Sequence, residues 1–174
     1  MAQYLIFENS KLKIEATLEN GQLLVCPKGK FDEDFSCENL GEFFKTHEKT
    51  AQRVIIDLSG VTEINSCGVR EWLLMLERLP AGMRPYFRGV SEFIVEQASL
   101  VPAVLGQDPS RVESFQAPFR CAPCDSRHLM LMAPADIQMR EGSSPLIPLQ
   151  KCPKCGKAME FDSIPEEYFY FLEG

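Results

Sequence analysis

The sequence lacks the features of membrane-spanning and nucleic-acid-binding proteins. No apolar run approaches the roughly 20 residues that a helix needs to cross a bilayer. Basic residues are outnumbered, since 18 Lys and Arg stand against 25 Asp and Glu and give a formal net charge of −7. Binding to phosphate backbones needs clustered positive charge. We therefore expect no nucleic-acid partner and no membrane insertion.

Export signals and catalytic motifs are missing as well. The first residues, MAQYLIFENS, have no basic stretch followed by an apolar core, so we expect a cytoplasmic protein. The sequence has no Gly-rich phosphate loop, no pair of catalytic carboxylates and no nucleophile–base motif. We predict that the protein is not an enzyme.

The pattern of apolar residues up to residue 117 is typical of an α/β domain. Alternating residues from Leu12 to Leu18 precede Asn20 and Gly21, which predicts a two-residue β-hairpin turn. A continuous β-branched run over 54–58 predicts a central strand covered on both faces. With the helical segments between the strands, the order is β-β-α-β-α-β-α and a last strand. We expect a mixed β-sheet with helices on one face.

The character of the sequence changes near Pro118. Proline recurs and helical periodicity disappears, so we predict a boundary between a domain of residues 1–117 and a second of residues 118–174. The aromatic-rich end, residues 160–174, is predicted to be a strand packed on this second domain.

Four of the seven cysteines form two Cys-x-x-Cys pairs, Cys121 with Cys124 and Cys152 with Cys155. Each pair can present two sulfurs from one tight knuckle, and two knuckles complete a tetrahedral zinc site. The 27 residues between the pairs leave room for a β-hairpin, and the spacing resembles a zinc ribbon. We predict one structural zinc ion. The alternatives are iron, as in rubredoxin-like knuckles, and a site in which His128 replaces one cysteine.

A polar junction, Asn65 to Gly68, joins a strand to an amphipathic helix. The apolar residues Val69, Trp72 and Leu76 recur at helical spacing after it. We predict that Ser66 caps this helix by accepting a hydrogen bond from an amide of the first turn.

Three stretches resemble successive blocks of the STAS domain, which occurs in bacterial anti-sigma factor antagonists and in the cytoplasmic part of sulfate transporters. They are GQLLVCPKGKFDED, VIIDLSGVTEINSCGVREWLLML and PYFRGVSEFIVEQASLVPAVLG, and the resemblance covers about residues 11–117. It implies a STAS-like fold and a non-enzymatic signalling module that binds a protein partner. In the family that partner can be an anti-sigma protein related to serine kinases.

The family commonly has Asp-Ser-Ser-Gly or Asp-Ser-Thr-Gly where this chain has Asn65-Ser66-Cys67-Gly68. The hydroxyl group that the partner kinase modifies would lie at Cys67, and a serine kinase does not form its usual phosphoester on sulfur. We therefore predict that the contact surface is kept and that the usual serine phosphorylation is not. The predicted contact residues are Ser59, Asn65, Ser66, Cys67 and Gly68.

Two other functions stay open. A thiol at a helix N-terminus is ionised more readily, so Cys67 could serve a redox sensor. We expect instead that Cys67 is packed inside the domain and inert, as unpaired cysteines commonly are. Some proteins of the resembling fold bind a small apolar or lipid ligand between sheet and helices. The sequence is also compatible with a homo-oligomer.

Overall fold

The computed structural model describes residues 1–140 and 142–173. Its main sheet has six strands: β1 (Ala2–Glu8), β2 (Leu12–Glu19), β3 (Gln22–Phe31), β4 (Arg53–Asp57), β5 (Gly60–Ile64) and β6 (Tyr86–Arg88). The order is β1-β2-β3-β4-β6, with the first three strands antiparallel and the others parallel to β3 or β4. The predicted α/β class with a mixed sheet is confirmed.

Strand β5 continues where β4 stops. The first half of β3 pairs with β4, and its second half, Lys28 to Phe31, pairs with β5. The sequence pattern did not predict β5, because its buried residues Val61 and Ile64 are three positions apart and do not alternate. This strand carries the chain directly into the junction at residue 65.

Helices α1 (Cys37–His47), α2 (Ser66–Glu77) and α3 (Glu92–Leu100) follow β3, β5 and β6. No helix in the described ranges is both long and apolar enough to cross a membrane. Short 3-10 turns at Pro102–Leu105 and Pro109–Arg111 lead from α3 toward the second sheet.

The predicted hairpin between β2 and β3 is confirmed. Asn20 and Gly21 have φ angles of 50° and 78°, as a tight turn that matches strand twist requires. Because the turn fixes the register, Leu12, Ile14 and Ala16 face the core together while Lys13 and Glu15 do not.

Trp72 anchors helix α2 in the core. Its side chain is 1% exposed, and its ring packs edge-to-face on Phe31 of β3, with ring centroids 5.5 Å apart. The indole N–H donates a hydrogen bond to the carbonyl oxygen of Val104 at 2.8 Å. The middle of α2 is therefore held against the end of β3 by the buried Trp72 side chain.

A second, antiparallel sheet carries the paired cysteines. It comprises β7 (Phe115–Cys121), β8 (Ser126–Met132), β11 (Gln150–Lys151) and β12 (Ala158–Phe161) in the order β11-β12-β7-β8. Strands β9 (Gln138–Arg140) and β10 (Ser143–Leu146) form a separate pair. Strand β7 runs through the predicted boundary at Pro118: its first residue, Phe115, bridges to Val90 beside the main sheet, and its last is Cys121.

The C-terminal segment contacts both α3, which follows the main sheet, and β7 of the second sheet. The prediction of a strand over residues 160–174 is wrong beyond Phe161, where β12 ends. Helix α4 (Pro165–Tyr168) and a 3-10 turn follow, because a proline suits the first turn of a helix. The Tyr168 hydroxyl donates to the Gln116 carbonyl oxygen at 2.7 Å, and Ser99 of α3 donates to the Tyr168 carbonyl oxygen at 2.9 Å.

Candidate metal centre and partner surface

The first cysteine knuckle lies in the hairpin between β7 and β8. Cys121 ends β7, and Cys124 ends a 3-10 turn that begins at Ala122. The next residue, Asp125, has a φ angle of 44°, and this left-handed conformation returns the chain into β8, where Ser126 pairs with Cys121.

The second knuckle has the same form between β11 and β12. The left-handed residue is Gly156, with a φ angle of 71°. Its N–H donates to the Cys152 carbonyl oxygen at 2.8 Å, and the Cys152 N–H donates to the Lys157 carbonyl oxygen at 2.8 Å. The glycine fits here because a left-handed φ is strained for most other residues.

The four cysteine sulfurs converge on one point. All four lie within 4.8 Å of one another. The Sγ atoms of Cys121 and Cys155 are 3.6 Å apart, and those of Cys124 and Cys152 are 4.0 Å apart. Zinc–sulfur bonds of about 2.3 Å in a tetrahedron place the sulfurs about 3.8 Å from each other. The donor set therefore fits a tetrahedral metal ion.

The knuckle backbone favours the thiolate form of one ligand. Burial alone would raise the pKa of the Cys152 thiol, but the amide N–H groups of Cys155 and Lys154 stabilise its thiolate and lower the pKa to about 6. Hydrogen bonds with the thiols of Cys155 and Cys121 raise the pKa of Cys124 to about 12. A bound cation would favour the thiolate form at all four positions, since metal binding displaces the thiol protons.

His128 lies beside the four sulfurs. Its Nε2 atom is 3.8 Å from the Cys152 Sγ and hydrogen-bonds to the Ser126 hydroxyl at 2.9 Å. In this position the ring can hydrogen-bond to a ligand sulfur, which is a common role for a group next to a metal site. The sulfurs complete a tetrahedral set without it.

Asn65 caps helix α2. Its backbone is extended, its Oδ1 atom accepts from the Gly68 N–H at 2.9 Å, and its Nδ2 donates to the Glu33 carboxylate at 3.0 Å. The prediction that Ser66 is the cap is wrong by one position. Strand β5 ends at Ile64, so Asn65 is the last extended residue and Ser66 is already in the helix.

Cys67 is exposed at the start of α2, so the expectation that it is packed inside the domain is wrong. The buried stripe of the helix consists of Gly68, Trp72 and Met75, and Cys67 lies just beside it. Ser59 and Ser66 are exposed too, while Asn65 is half-buried. Three of the five predicted contact side chains thus face solvent.

Gly68 is buried. A Cβ atom at this position would lie 2.3 Å from the carbonyl oxygen of Phe31. Glycine is therefore what lets α2 begin so close to β3, and it lies beneath the surface that the other predicted contact residues form.

Two carboxylates hold this surface in place, and neither is among the residues predicted for it from the sequence. Asp57 accepts hydrogen bonds from the N–H and the hydroxyl of Ser59, at 3.0 and 2.6 Å. The Asp-x-Ser pattern is a known turn signal and could have revealed it. Glu33, which binds Asn65, is 32 residues away along the chain, and no local signal predicts the pairing.

A scan against known protein families matched none of them, and a search of curated proteins found no match. The resemblance to the STAS domain therefore stays a prediction. Chemically, four cysteines can surround a metal ion completely, and the junction offers an exposed thiol and two exposed hydroxyl groups on a fixed backbone.

Proposed function

We propose that the chain is a non-enzymatic, STAS-like protein-interaction module whose second sheet is folded around one structural zinc ion. The convergence of four cysteine sulfurs carries the metal part of this proposal. With all four positions supplied by protein, no position is open for a substrate, so the ion stabilises the fold. Zinc is proposed rather than iron because the 27-residue spacing between the two knuckles resembles that of a zinc ribbon.

The proposed partner surface is the junction. Its exposed residues are Ser59, Ser66 and Cys67, and the hydrogen bonds of Asn65 and Asp57 fix the backbone beneath them. A surface that is ordered before binding loses little conformational entropy in the complex. By resemblance the partner is an anti-sigma protein related to serine kinases, in the cytoplasm. Phosphorylation of the family's usual hydroxyl is not the switch, because Cys67 takes that position.

The partner surface is tested by affinity capture from the native cell, with the zinc-loaded full chain as bait. The double variant Ser66→Arg, Cys67→Arg should lose the partner, since both positions are exposed and bulky cations there would block docking. The control is Asn39→Arg, Thr46→Arg, with the same charge added at exposed positions of α1. Capture of the same protein by the wild type and both variants would refute the proposed surface.

One observation favours a second candidate, a thiol-based redox sensor: Cys67 is exposed in the first turn of α2. With peroxide as oxidant, the thiolate attacks one peroxide oxygen, a sulfur–oxygen bond forms, the oxygen–oxygen bond breaks and hydroxide leaves. Cys67 is oxidised to a sulfenic acid and the peroxide is reduced. Oxidation would place a new polar group in the centre of the proposed contact surface.

A further inference from the structure

A groove lies between α3 and the C-terminal turns, and its lining includes no residue of the junction or of the cysteine centre. It encloses about 490 Å³. Its lining includes Glu96, Leu100, Glu166, Glu167 and Tyr170. The Leu100 side chain is 77% exposed and that of Tyr170 is 49% exposed, so two large side chains present apolar surface to water here. Exposed apolar side chains in a groove with a polar rim are candidates for an interaction site.

The exposed side of α3 extends this surface. Phe93, which is 39% exposed, precedes Glu96 and Leu100 by three and seven residues, so the three lie on one side of the helix. At the other end, Tyr170 also lines a second cavity of about 560 Å³, together with Pro102, Leu105 and Phe171. The exposed apolar side chains therefore extend along α3 beyond the groove and, through Tyr170, to a neighbouring cavity.

The rim of the groove carries three carboxylates, Glu96, Glu166 and Glu167. Across the described ranges, none of the three forms an ion pair with a Lys or Arg. Arg127 of β8 lies near the start of α3, but its side chain is already paired with Glu92 and Asp162. Burial, followed by the charge of Glu92, raises the pKa of Glu96, and the charge of Arg127 offsets this rise only in part. A further cation placed here would favour the ionised form of Glu96.

We propose that this groove docks a basic, amphipathic peptide segment of a partner protein. Apolar side chains of the segment would cover Leu100 and Tyr170, while its Lys or Arg side chains would pair with Glu96, Glu166 and Glu167. Docking of an amphipathic helix into an apolar groove is a common mode of peptide recognition. The acidic rim excludes an anionic lipid surface by repulsion. The groove shares no residue with the junction, so this peptide site can be tested independently of the proposed function.

The test uses a fluorescently labelled synthetic peptide of leucine and lysine residues, in which the leucines recur at i, i+3, i+4 and i+7, titrated into the zinc-loaded full chain. The triple variant Glu96→Gln, Glu166→Gln, Glu167→Gln should weaken its binding about tenfold or more, since three charge pairs are lost. The control is Glu42→Gln, Glu48→Gln, Glu77→Gln, which removes the same charge from exposed carboxylates elsewhere. The control should change the affinity less than about twofold.

Leu100→Ser tests the apolar contact. Because Leu100 is largely exposed, the variant should keep the melting temperature of the wild type and still bind the peptide several-fold less tightly. An equal loss in the control triple variant would show unspecific attraction to an acidic chain and overturn the proposal. Absence of binding by the wild type would overturn it too. Equally tight binding of spermine, abolished by the groove variant alone, would identify a small polyamine site and exclude the peptide.

Discussion

Gly68 and the carbonyl oxygen of Phe31 are so close that a Cβ atom at position 68 would lie 2.3 Å from that oxygen. The contact joins the first turn of α2 to the end of β3. The position of α2 relative to β3 therefore depends on the glycine at position 68, because any larger residue must push the helix away from the strand.

Gly68→Ala should therefore destabilise the fold by about 2–3 kcal/mol, in the range of an overpacked core. Urea denaturation measures it. The matched control is Gly41→Ala in α1, where a Cβ atom meets nothing within 4 Å, and which should stabilise the fold by about 0.5–1 kcal/mol. Equal stability of Gly68→Ala and the wild type would contradict the close approach.

Purified protein should contain one zinc ion per chain, measured by elemental analysis. Cys152→Ser should lose the ion and disorder the second sheet, because an ion held by both knuckles links the β7–β8 hairpin to the β11–β12 hairpin and its binding energy stabilises this sheet. Cys26→Ser, a half-buried cysteine outside the four, should keep the ion. An ordered second sheet in protein with almost no metal would refute the metal centre. A red protein that contains iron would show that the site binds iron and not zinc.

In zinc-loaded protein, Cys67 should react with a maleimide before Cys26 and Cys37. Cys67 is exposed, Cys37 is buried, and burial raises the pKa of both Cys37 and Cys26. Mass spectrometry after limited alkylation identifies the labelled position, and Cys67→Ser should remove the fast phase. Phosphate found on Ser66 of protein from cells would contradict the prediction that serine phosphorylation does not control this surface.

Asn65→Ala should lower the free energy of unfolding by about 1 kcal/mol, the usual value of a helix cap. Asn65→Asp should restore the cap but place a second carboxylate next to Glu33, 3.0 Å from the present amide nitrogen. Adding Glu33→Gln should then recover stability in the Asn65→Asp variant, whereas the same change in the wild type should not. Additive effects of the two changes, measured by a double-mutant cycle, would show that the residues do not interact.

Local chemistry determined the features that the sequence predicted. The hairpin at Asn20 and Gly21 follows from residues that tolerate positive φ angles, and the grouping of the four cysteines follows from two knuckles of identical spacing. In both cases the information lies within a few residues of the feature. The α/β class was predictable for the same reason, since apolar periodicity is local.

Only the tertiary structure decided the environment of these features. The exposure of Cys67 depends on which side of α2 packs on Phe31, and the bond from Asn65 to Glu33 joins residues far apart in sequence. The C-terminal aromatic residues have high strand propensity, so their sequence pattern by itself is compatible with a strand. They form turns because Pro165 starts a helix and because Phe169 is completely buried, against Phe115 and Phe161. Burial and long-range pairing are sums of many contacts between distant segments, and a local pattern does not contain them.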